Sequence, residues 1–277
     1  MSKADIVEAA LEARLLLEFI CGTDRSTLYA HPDMPVKPED VTEFRRLINK
    51  RAERIPLSHI TGNRELMGLT FKVNEHVLIP RQDTEILVEE AMRYIDDGMR
   101  VLDVCTGSGC IILSLMNYKN NLRAVGIDIS EDALAVAKEN AELLQSSDRG
   151  EIKFLQGDLF GALSDENISD KKFDVIVSNP PYIRDEDIAS LSPEVRDYDP
   201  YIALCGGTDG LDFYRRIIEK APLYLSSEGR IFLEIGCDQK NDVENLLKEA
   251  GFSDIRCIKD YAQLDRVVCG QYTKNTH

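Results

Sequence analysis

The sequence carries little positive charge for its length. Of its 277 residues, 33 are Lys or Arg and 49 are Asp or Glu, which gives a formal net charge of −16 at pH 7. A protein that grips a nucleic-acid duplex normally neutralises several phosphates with a basic face. The charge balance therefore argues against direct nucleic-acid binding.

One basic cluster lies on a predicted helix near the N-terminus. It consists of Arg45, Arg46, Lys50, Arg51 and Arg54. Glu43 and Glu53 stand at neighbouring positions of the same helix, so we interpret the cluster as a solvated face that is paired with these acidic residues.

Signatures of metal binding, disulfides and membranes are also missing. The seven cysteines form no Cys-x-x-Cys pair and the four histidines are scattered, so we expect neither a zinc site nor a disulfide framework. Cys110 and Cys205 are expected to be small buried hydrophobic residues and not nucleophiles. No apolar run reaches about 18 residues, and the N-terminus opens with charged residues. A cytoplasmic protein without membrane contact is the resulting expectation.

The first part of the chain has the apolar spacing of short helices. Apolar residues between Ile6 and Ile20 recur with a period of about 3.6 residues, and Gly22 follows as a stop signal. Residues 42–54 carry a second stripe of the same kind. We therefore predict a small N-terminal helical domain over residues 1–56.

The remainder of the chain has strand patterns. Residues 57–80 are predicted to be a linker with a β-hairpin that turns around Asn74 and Glu75. From residue 100 onward, short apolar runs alternate with helical patterns, which indicates a mostly parallel sheet covered by helices on both faces. Residues 81–277 are assigned to this doubly wound α/β domain, whose last two strands we expect at 252–258 and 264–270.

Four residues, Asn179-Pro180-Pro181-Tyr182, directly follow a predicted buried strand at 173–178. In open α/β sheets, ligands bind at the carboxyl ends of the strands. The two prolines fix φ and remove two N–H donors, so this Asn-Pro-Pro-Tyr loop is rigid and presents mainly carbonyl acceptors. With an amide and an aromatic ring beside them, these acceptors suit a planar NH2 group. The alternative is a plain strand-end turn, because Asn-Pro is common in turns.

A glycine loop, Thr106-Gly107-Ser108-Gly109, lies between a predicted strand at 101–104 and an apolar helix. Its glycines let the backbone approach a ligand, and the helix N-terminus offers free N–H groups. Asp128 ends the next strand about 20 residues further on, which is the usual distance for a carboxylate that accepts from ribose hydroxyls. The spacing fits neither the dinucleotide fingerprint nor the P-loop. A cofactor with ribose and no phosphate is favoured, and S-adenosylmethionine is the common one.

Further polar residues end the neighbouring strands. Asp158 and Leu159 follow a predicted strand at 152–156. Asp158 could accept from an adenine amino group while Leu159 packs on the ring, although a helix N-cap is an alternative for this aspartate. Together with Asp103, Asp128 and Asn179, these strand ends predict a binding site along one rim of the sheet.

With these residues the chain resembles the PrmC/HemK family of protein-(glutamine-N5) methyltransferases, which modify peptide chain release factors. Residues 179–182 are shared with DNA adenine and other amino methyltransferases. Two segments are more specific to the family: residues 79–85, Ile-Pro-Arg-Gln-Asp-Thr-Glu, and residues 203–211, Ala-Leu-Cys-Gly-Gly-Thr-Asp-Gly-Leu. Residues 56–62, Pro-Leu-Ser-His-Ile-Thr-Gly, also resemble the family.

The resemblance implies a Rossmann-like class I methyltransferase sheet of seven strands that ends with an antiparallel strand, and an N-terminal helical domain that helps to dock a protein substrate. It implies methyl transfer from S-adenosylmethionine to the glutamine of the Gly-Gly-Gln motif in release factors, the proteins that act in translation termination. Two alternatives stay open. One is an amino methyltransferase that acts on adenine or guanine of nucleic acid, and the other is a non-catalytic scaffold subunit.

The resemblance also assigns roles to residues. The Asn179 side-chain carbonyl and the Pro180 backbone carbonyl would accept the two N–H groups of the substrate amide, while Pro181 and Tyr182 complete the substrate site. The family usually has glycine where Cys105 stands, so we expect that this position does not require a positive φ. No metal ligand is expected. The expected cofactor-binding residues are Cys105, Thr106, Gly107, Ser108, Gly109, Asp128, Asp158, Leu159 and Asn179.

Overall fold

The computed structural model describes residues 6–144, 150–163 and 172–273. The chain divides into two compact units. The first unit contains Met1–Asn63 and Ser192–Tyr198, and the second contains Arg64–Leu191 and Asp199–His277. Within the described part of the chain, we find no helix whose length and apolar character would let it span a membrane.

Helices make up the first unit. They are α1 (Ala9–Cys21), α2 (Arg25–Ala30), α3 (Pro38–Ala52) and α4 (Leu57–Thr61). Helix α1 ends where Gly22 adopts a left-handed conformation with φ 58°, as its stop signal predicts. Helix α3 begins one turn earlier than the predicted residue 42, because Pro38 occupies its first turn, where the fixed φ of proline favours a helix.

The basic cluster on α3 does not form one solvated face. Arg46 pairs with Glu43 in solvent, as predicted. Arg51 is only 5% exposed, pairs with Glu12 of α1, and donates to Glu194 at 3.1 Å. Periodicity along α3 could not reveal these partners, because they come from other segments of the first unit.

A seven-stranded sheet forms the centre of the second unit, in the order β5-β4-β3-β6-β7-β9-β8. Its strands are β3 (Arg100–Val104), β4 (Leu122–Asp128), β5 (Gly150–Gln156), β6 (Phe173–Ser178), β7 (Leu225–Glu234), β8 (Phe252–Lys259) and β9 (Asp265–Tyr272). All pairings are parallel except those of β9, which is antiparallel to β7 and β8. The predicted mostly parallel, doubly wound fold is confirmed. Strand order reverses at β3, which lies between β4 and β6, and in such sheets this position forms the ligand crevice.

Helices and apolar side chains cover both faces of the sheet. The helices of this unit are α5 (Thr84–Met92), α6 (Cys110–Tyr118), α7 (Glu131–Leu144), α10 (Asp212–Tyr224), α11 (Lys240–Glu249) and the short α9 (Tyr201–Leu204), while α8 (Pro193–Arg196) belongs to the first unit. Two short 3-10 helices lie at Leu159–Leu163 and Asp185–Ser190. On the central strand β3, Leu102 packs in one apolar cluster with Ile217 of α10, and Val101 packs in the other with Leu87 of α5. Successive strand residues therefore supply two cores.

The hairpin is displaced from its predicted position. It is formed by β1 (Asn63–Leu66) and β2 (Leu69–Lys72). Its turn residues, Met67 and Gly68, have φ of 51° and 68°, as a two-residue type I′ turn requires. The predicted turn around Asn74 and Glu75 is wrong, since the Asn74 side chain accepts from the His76 N–H at 3.0 Å and forms a local turn outside the hairpin.

Candidate active site

A cavity lies at the carboxyl ends of β3, β4, β5 and β6, at the reversal of strand order. Each of these strands is followed by residues that line it, and the described lining includes most of the predicted cofactor residues. Gly109 is absent from that lining, as are Pro180 and Tyr182 of the Asn-Pro-Pro-Tyr loop. The predicted residues that line it are Cys105, Thr106, Gly107, Ser108, Asp128, Asp158, Leu159, Asn179 and Pro181.

The glycine loop is attached to β4 through its backbone. The Thr106 N–H donates to the Ile127 carbonyl at 2.9 Å, and the Gly107 N–H donates to Oδ2 of Asp128 at 2.9 Å. Gly109 has φ 77° and caps α6. A Cβ atom at Gly109 would lie 3.3 Å from the Cβ of Ala137, so this glycine supports both the turn and the close packing of α6 on α7.

Asp128 lies partly buried between the glycine loop and the turn after β4. Its Oδ1 accepts from the Ser130 N–H at 3.0 Å, and its Oδ2 accepts from Gly107. Burial raises the pKa of the Asp128 carboxyl, and the N–H donors oppose this rise. Each carboxylate oxygen retains a further acceptor position, so the cavity wall presents two anionic acceptors that are fixed in place.

Asp103 lies beneath the glycine loop and is not on the rim. It is fully buried, and its Oδ2 accepts from the Thr106 hydroxyl at 2.7 Å. Burial raises the pKa of this carboxyl to about 7, and the nearby Asp128 charge adds to the rise. Asp103 therefore supports the loop from below.

Cys105 has φ 63°. The expectation that this position does not require a positive φ is wrong, because the chain turns there in the left-handed region that glycine adopts without strain. The Cys105 side chain lines the cavity and packs against one apolar cluster. Burial raises the pKa of its thiol strongly, so the thiol is protonated at neutral pH.

An ion pair lies at the end of the cavity that is lined by the residues following β5. Asp158 accepts from Arg216 at 2.6 Å, and about half of each side chain is exposed. The Arg216 guanidinium lies 5.9 Å from the centre of the Phe213 ring, and both side chains line the cavity. Leu159 is 7% exposed and has φ 50°. Sequence patterns assigned neither Phe213 nor Arg216 to the site.

Comparison with known proteins gives the family. The model of the PrmC N-terminal domain matches residues 1–62, and a methyltransferase domain model matches residues 95–251. The release factor glutamine methyltransferase of Geobacter sulfurreducens is 41% identical over 271 residues, which cover 98% of this chain and 92% of that protein. The protein of the same name from Clostridium acetobutylicum is 42% identical over 259 residues, which cover 93% and 89%. The chain belongs to the release factor glutamine methyltransferase family.

A solved structure supports the fold. A methyltransferase from Pyrococcus furiosus superposes with a TM-score of 0.54 at 18% identity, over 74% of this chain and 90% of that one. At this level of identity, the likeness shows a shared methyltransferase fold.

The family segment at 203–211 braces the Asn-Pro-Pro-Tyr loop. The Ile183 N–H donates to the Leu204 carbonyl at 3.0 Å, and the Gly206 N–H donates to the Ile183 carbonyl at 2.8 Å. A Cβ atom at Gly206 would lie 2.7 Å from the Cα of Tyr182, so only glycine allows this approach.

A buried glutamine holds the other side of the same loop. The Gln239 side chain is 2% exposed and donates to the carbonyls of Tyr182 at 3.0 Å and Gly210 at 3.1 Å. No sequence signal singled out Gln239, which lies in the turn before α11. It joins the end of the loop to the segment that braces it.

The family segment at 79–85 carries a second ion pair at the cavity. The Asp199 side chain is fully buried; it accepts from the Ile79 N–H at 3.3 Å and pairs with Arg81. Burial raises the pKa of Asp199, while the Arg81 charge lowers it. Arg81 is 38% exposed at its side chain and lines the cavity. Sequence analysis missed Asp199, because its partners lie about 120 residues earlier.

Proposed function

We propose that this protein transfers a methyl group from S-adenosylmethionine to the side-chain amide N5 of the glutamine in the Gly-Gly-Gln motif of peptide chain release factors. The observation that carries this proposal is a juxtaposition. The amide of Asn179, at the start of a rigid and acceptor-rich loop, shares one cavity with Asp128 and the glycine loop. Family membership also supports the proposal, because relatives that align with nearly the full length of this chain are named for this activity.

The residues of the cavity fit S-adenosylmethionine. Asp128 would accept from the ribose hydroxyls, because its two oxygens are fixed by backbone N–H groups and face the cavity. Leu159 and Phe213 offer apolar faces to the adenine ring, beside the Asp158 carboxylate. When bound, the cofactor supplies an electrophilic methyl group on a sulfonium.

The Asn-Pro-Pro-Tyr loop would activate the substrate amide. An amide nitrogen is a poor nucleophile, since its lone pair is delocalised into the carbonyl. The Asn179 side-chain oxygen and the Pro180 carbonyl would accept its two N–H groups, turn the lone pair toward the methyl group and stabilise the positive charge that develops. Tyr182 would pack on the amide plane. Orientation of this kind contributes up to about 7–11 kcal/mol. The alkylated nitrogen then loses its proton readily, so no strong general base is required.

Replacing Asn179 tests this chemistry. In Asn179→Ala we expect kcat to fall by roughly 10²–10³, as when one preorganised hydrogen-bonding group is lost, with the affinity for S-adenosylmethionine nearly unchanged. Asn179→Asp keeps an acceptor and adds a charge, and its activity should also fall. Asn241→Ala, on the exposed face of α11, is the matched control. Mass spectrometry of the Gly-Gly-Gln peptide from a release factor measures the methyl group.

The outcomes separate the alternatives. Full methylation by Asn179→Ala would overturn the mechanism. Methyl transfer to DNA or RNA alone would indicate an amino methyltransferase of nucleic acid. A wild-type protein that binds the cofactor and methylates neither substrate would indicate a scaffold subunit.

We propose further that the first unit docks the release factor. Leu11 and Phe19 of α1 are 37% and 48% exposed, and Tyr29 of α2 is 68% exposed. Leu11 and Phe19 are eight residues apart and so lie on one helix face. Exposed apolar side chains of this kind are typical of protein-binding surfaces.

A full-length variant tests the docking role. Phe19→Ser should raise KM for intact release factor and leave KM for a short Gly-Gly-Gln peptide unchanged, because the peptide lacks the rest of the docking partner. Leu143→Ser, which removes a side chain that is 59% exposed on α7, is the control. Equal KM values for wild type and Phe19→Ser on intact release factor would contradict a docking role for this face.

A further inference from the structure

Two buried polar side chains lie next to Asn179. They are Thr84, in the first turn of α5, and Glu234, the last residue of β7. Each is 1% exposed. Burying a carboxyl group is costly unless hydrogen bonds or charges compensate it, so the position of Glu234 requires a physical reason.

The three side chains are neighbours in the interior of the second unit. Nδ2 of Asn179 donates to Oγ1 of Thr84 at 3.4 Å. The side chains of Thr84 and Asn179 both favour the charged form of the Glu234 carboxyl through hydrogen bonds. Its Oε2 atom is buried and has no hydrogen-bond partner among the residues that the structure describes. The carboxyl thus lies next to Asn179 and Thr84, which line the cavity. Its Oε2 atom can accept a further hydrogen bond.

We propose that Thr84 and Glu234 are positioning residues that hold the Asn179 amide with its nitrogen inward and its oxygen toward the substrate, an inference that rests on the proposed function. A hydroxyl has one hydrogen and two lone pairs. When the Thr84 hydrogen points to the carboxylate, its oxygen can only accept, so Asn179 must present its NH2 group there.

The amide oxygen of Asn179 is then available on the opposite branch of the side chain. A flipped Asn179 amide would place its oxygen against the Thr84 oxygen and the carboxylate, which repel it. It would also present donors to the N–H groups of the substrate. The buried pair therefore selects the one orientation of Asn179 that can accept from the substrate amide.

The charge state of Glu234 determines how firmly this orientation is held. Burial raises the pKa of the carboxyl to about 7, the hydrogen bond from Thr84 and the charge of Arg266 lower it, and Asp83 raises it. Below that pKa, the carboxylic acid can donate to Thr84 and release the hydroxyl hydrogen toward Asn179, so the selection is lost. The charged or titratable groups that face Glu234 from the packed elements are Asp83, Cys110, Tyr182, Tyr214 and Arg266.

Substitutions at Thr84 separate positioning from packing. Thr84→Val keeps the shape and removes the hydroxyl, and Thr84→Ser keeps the hydroxyl. We expect Thr84→Val to lower kcat by about 10-fold to 10²-fold, the scale of a misplaced reacting group, with KM for the peptide and Kd for S-adenosylmethionine unchanged within about twofold. Thr84→Ser should restore most of the activity. Ser114→Ala, which removes a fully buried hydroxyl on α6, is the control and should retain wild-type kcat.

Substitution of Glu234 tests the inference through the pH dependence of the reaction rate. In wild type, kcat/KM for S-adenosylmethionine, which reports the free enzyme, should rise as pH increases through about 7, and Glu234→Gln should lose this step. Equal losses of kcat in Thr84→Val and Thr84→Ser would overturn the inference, as would wild-type kcat in Thr84→Val or a wild-type pH step in Glu234→Gln.

An NMR measurement that does not depend on catalysis tests the inference separately from the proposed function. The side-chain NH2 signals of Asn179 in a ¹⁵N NMR spectrum should shift with pH around 7 in wild type and stay constant in Glu234→Gln. Signals that do not titrate in wild type would overturn the positioning role. A wild-type protein with titrating Asn179 signals and no methyl transfer to glutamine would instead overturn the proposed function.

Discussion

Cys105 occupies a conformation that suits glycine, and this leads to an unusual prediction about stability. Its φ is 63°, where a residue with a Cβ atom pays about 1–2 kcal/mol. Cys105→Gly removes this strain, and Cys105→Ala retains it. Both variants lose the contact of the thiol with the apolar cluster around β3.

The two variants should therefore differ in a definite direction. At an ordinary position, glycine is less stable than alanine by about 0.5–1 kcal/mol, because it loses more conformational entropy on folding. At a positive φ, alanine is the less stable residue by more than about 0.4–1 kcal/mol. We expect Cys105→Gly to exceed Cys105→Ala by about 1 kcal/mol in the free energy of unfolding.

Urea unfolding of both variants measures this difference, provided that the slopes are equal. Cys257 supplies the control. It is half-buried in strand β8 and has no positive φ, so Cys257→Ala should be more stable than Cys257→Gly. If Cys105→Ala equals or exceeds Cys105→Gly in stability, the assignment of strain to this position is refuted.

Three further predictions concern charged groups. Asp128→Asn should weaken S-adenosylmethionine binding in calorimetry by the ~1.5–3 kcal/mol of a charged hydrogen bond, and unchanged affinity would remove Asp128 from the site. Arg51→Met should lower the free energy of unfolding by about 3–5 kcal/mol, because it removes the arginine that pairs with Glu12 and one of the two arginines that pair with Glu194, whereas exposed Arg46→Met should change it little. Burial raises the pKa of Asp103 from 3.8 to about 7, so its contribution to stability is present at low pH and is lost as pH rises through 7. Urea unfolding at pH 5 and 8 should show a smaller loss of stability in Asp103→Asn than in wild type.

Much of the sheet could be predicted, because parallel strands leave a strong local signal. The strand at 173–178 was located at both ends, since a Val/Ile run is bounded by charged residues before it and by Asn-Pro after it. The carboxyl ends of parallel strands meet at one edge. Local patterns were therefore sufficient to bring Asp128, Asp158 and Asn179 to the same cavity.

Other features of the site depend on contacts that no local pattern encodes. Arg216 meets Asp158 from 58 positions away, and Gln239 meets Tyr182 from 57 positions away. In a chain with 30% charged residues, one arginine on an amphipathic helix is indistinguishable from its solvated neighbours. The positive φ of Cys105 could not be predicted for a different reason: the presence of a side chain argues against this conformation, although neighbouring structure can impose it.

Asp103, which sequence analysis placed on the rim of the sheet, and Glu234, which it did not single out, are both buried carboxyl groups near the cavity. Asp103 lies beneath the glycine loop and Glu234 lies next to Asn179, and each has one buried oxygen without a hydrogen-bond partner among the described residues. Burial raises the pKa of each to about 7. On the proposed chemistry, the cofactor carries a sulfonium and the substrate amide becomes cationic, so both reactants would bring positive charge into the cavity. A nearby positive charge favours the ionised carboxyl, and each carboxylate in turn stabilises that charge at low effective dielectric. On the proposed function, the cost of burying these groups in the free protein would therefore be offset in part when the cationic reactants bind.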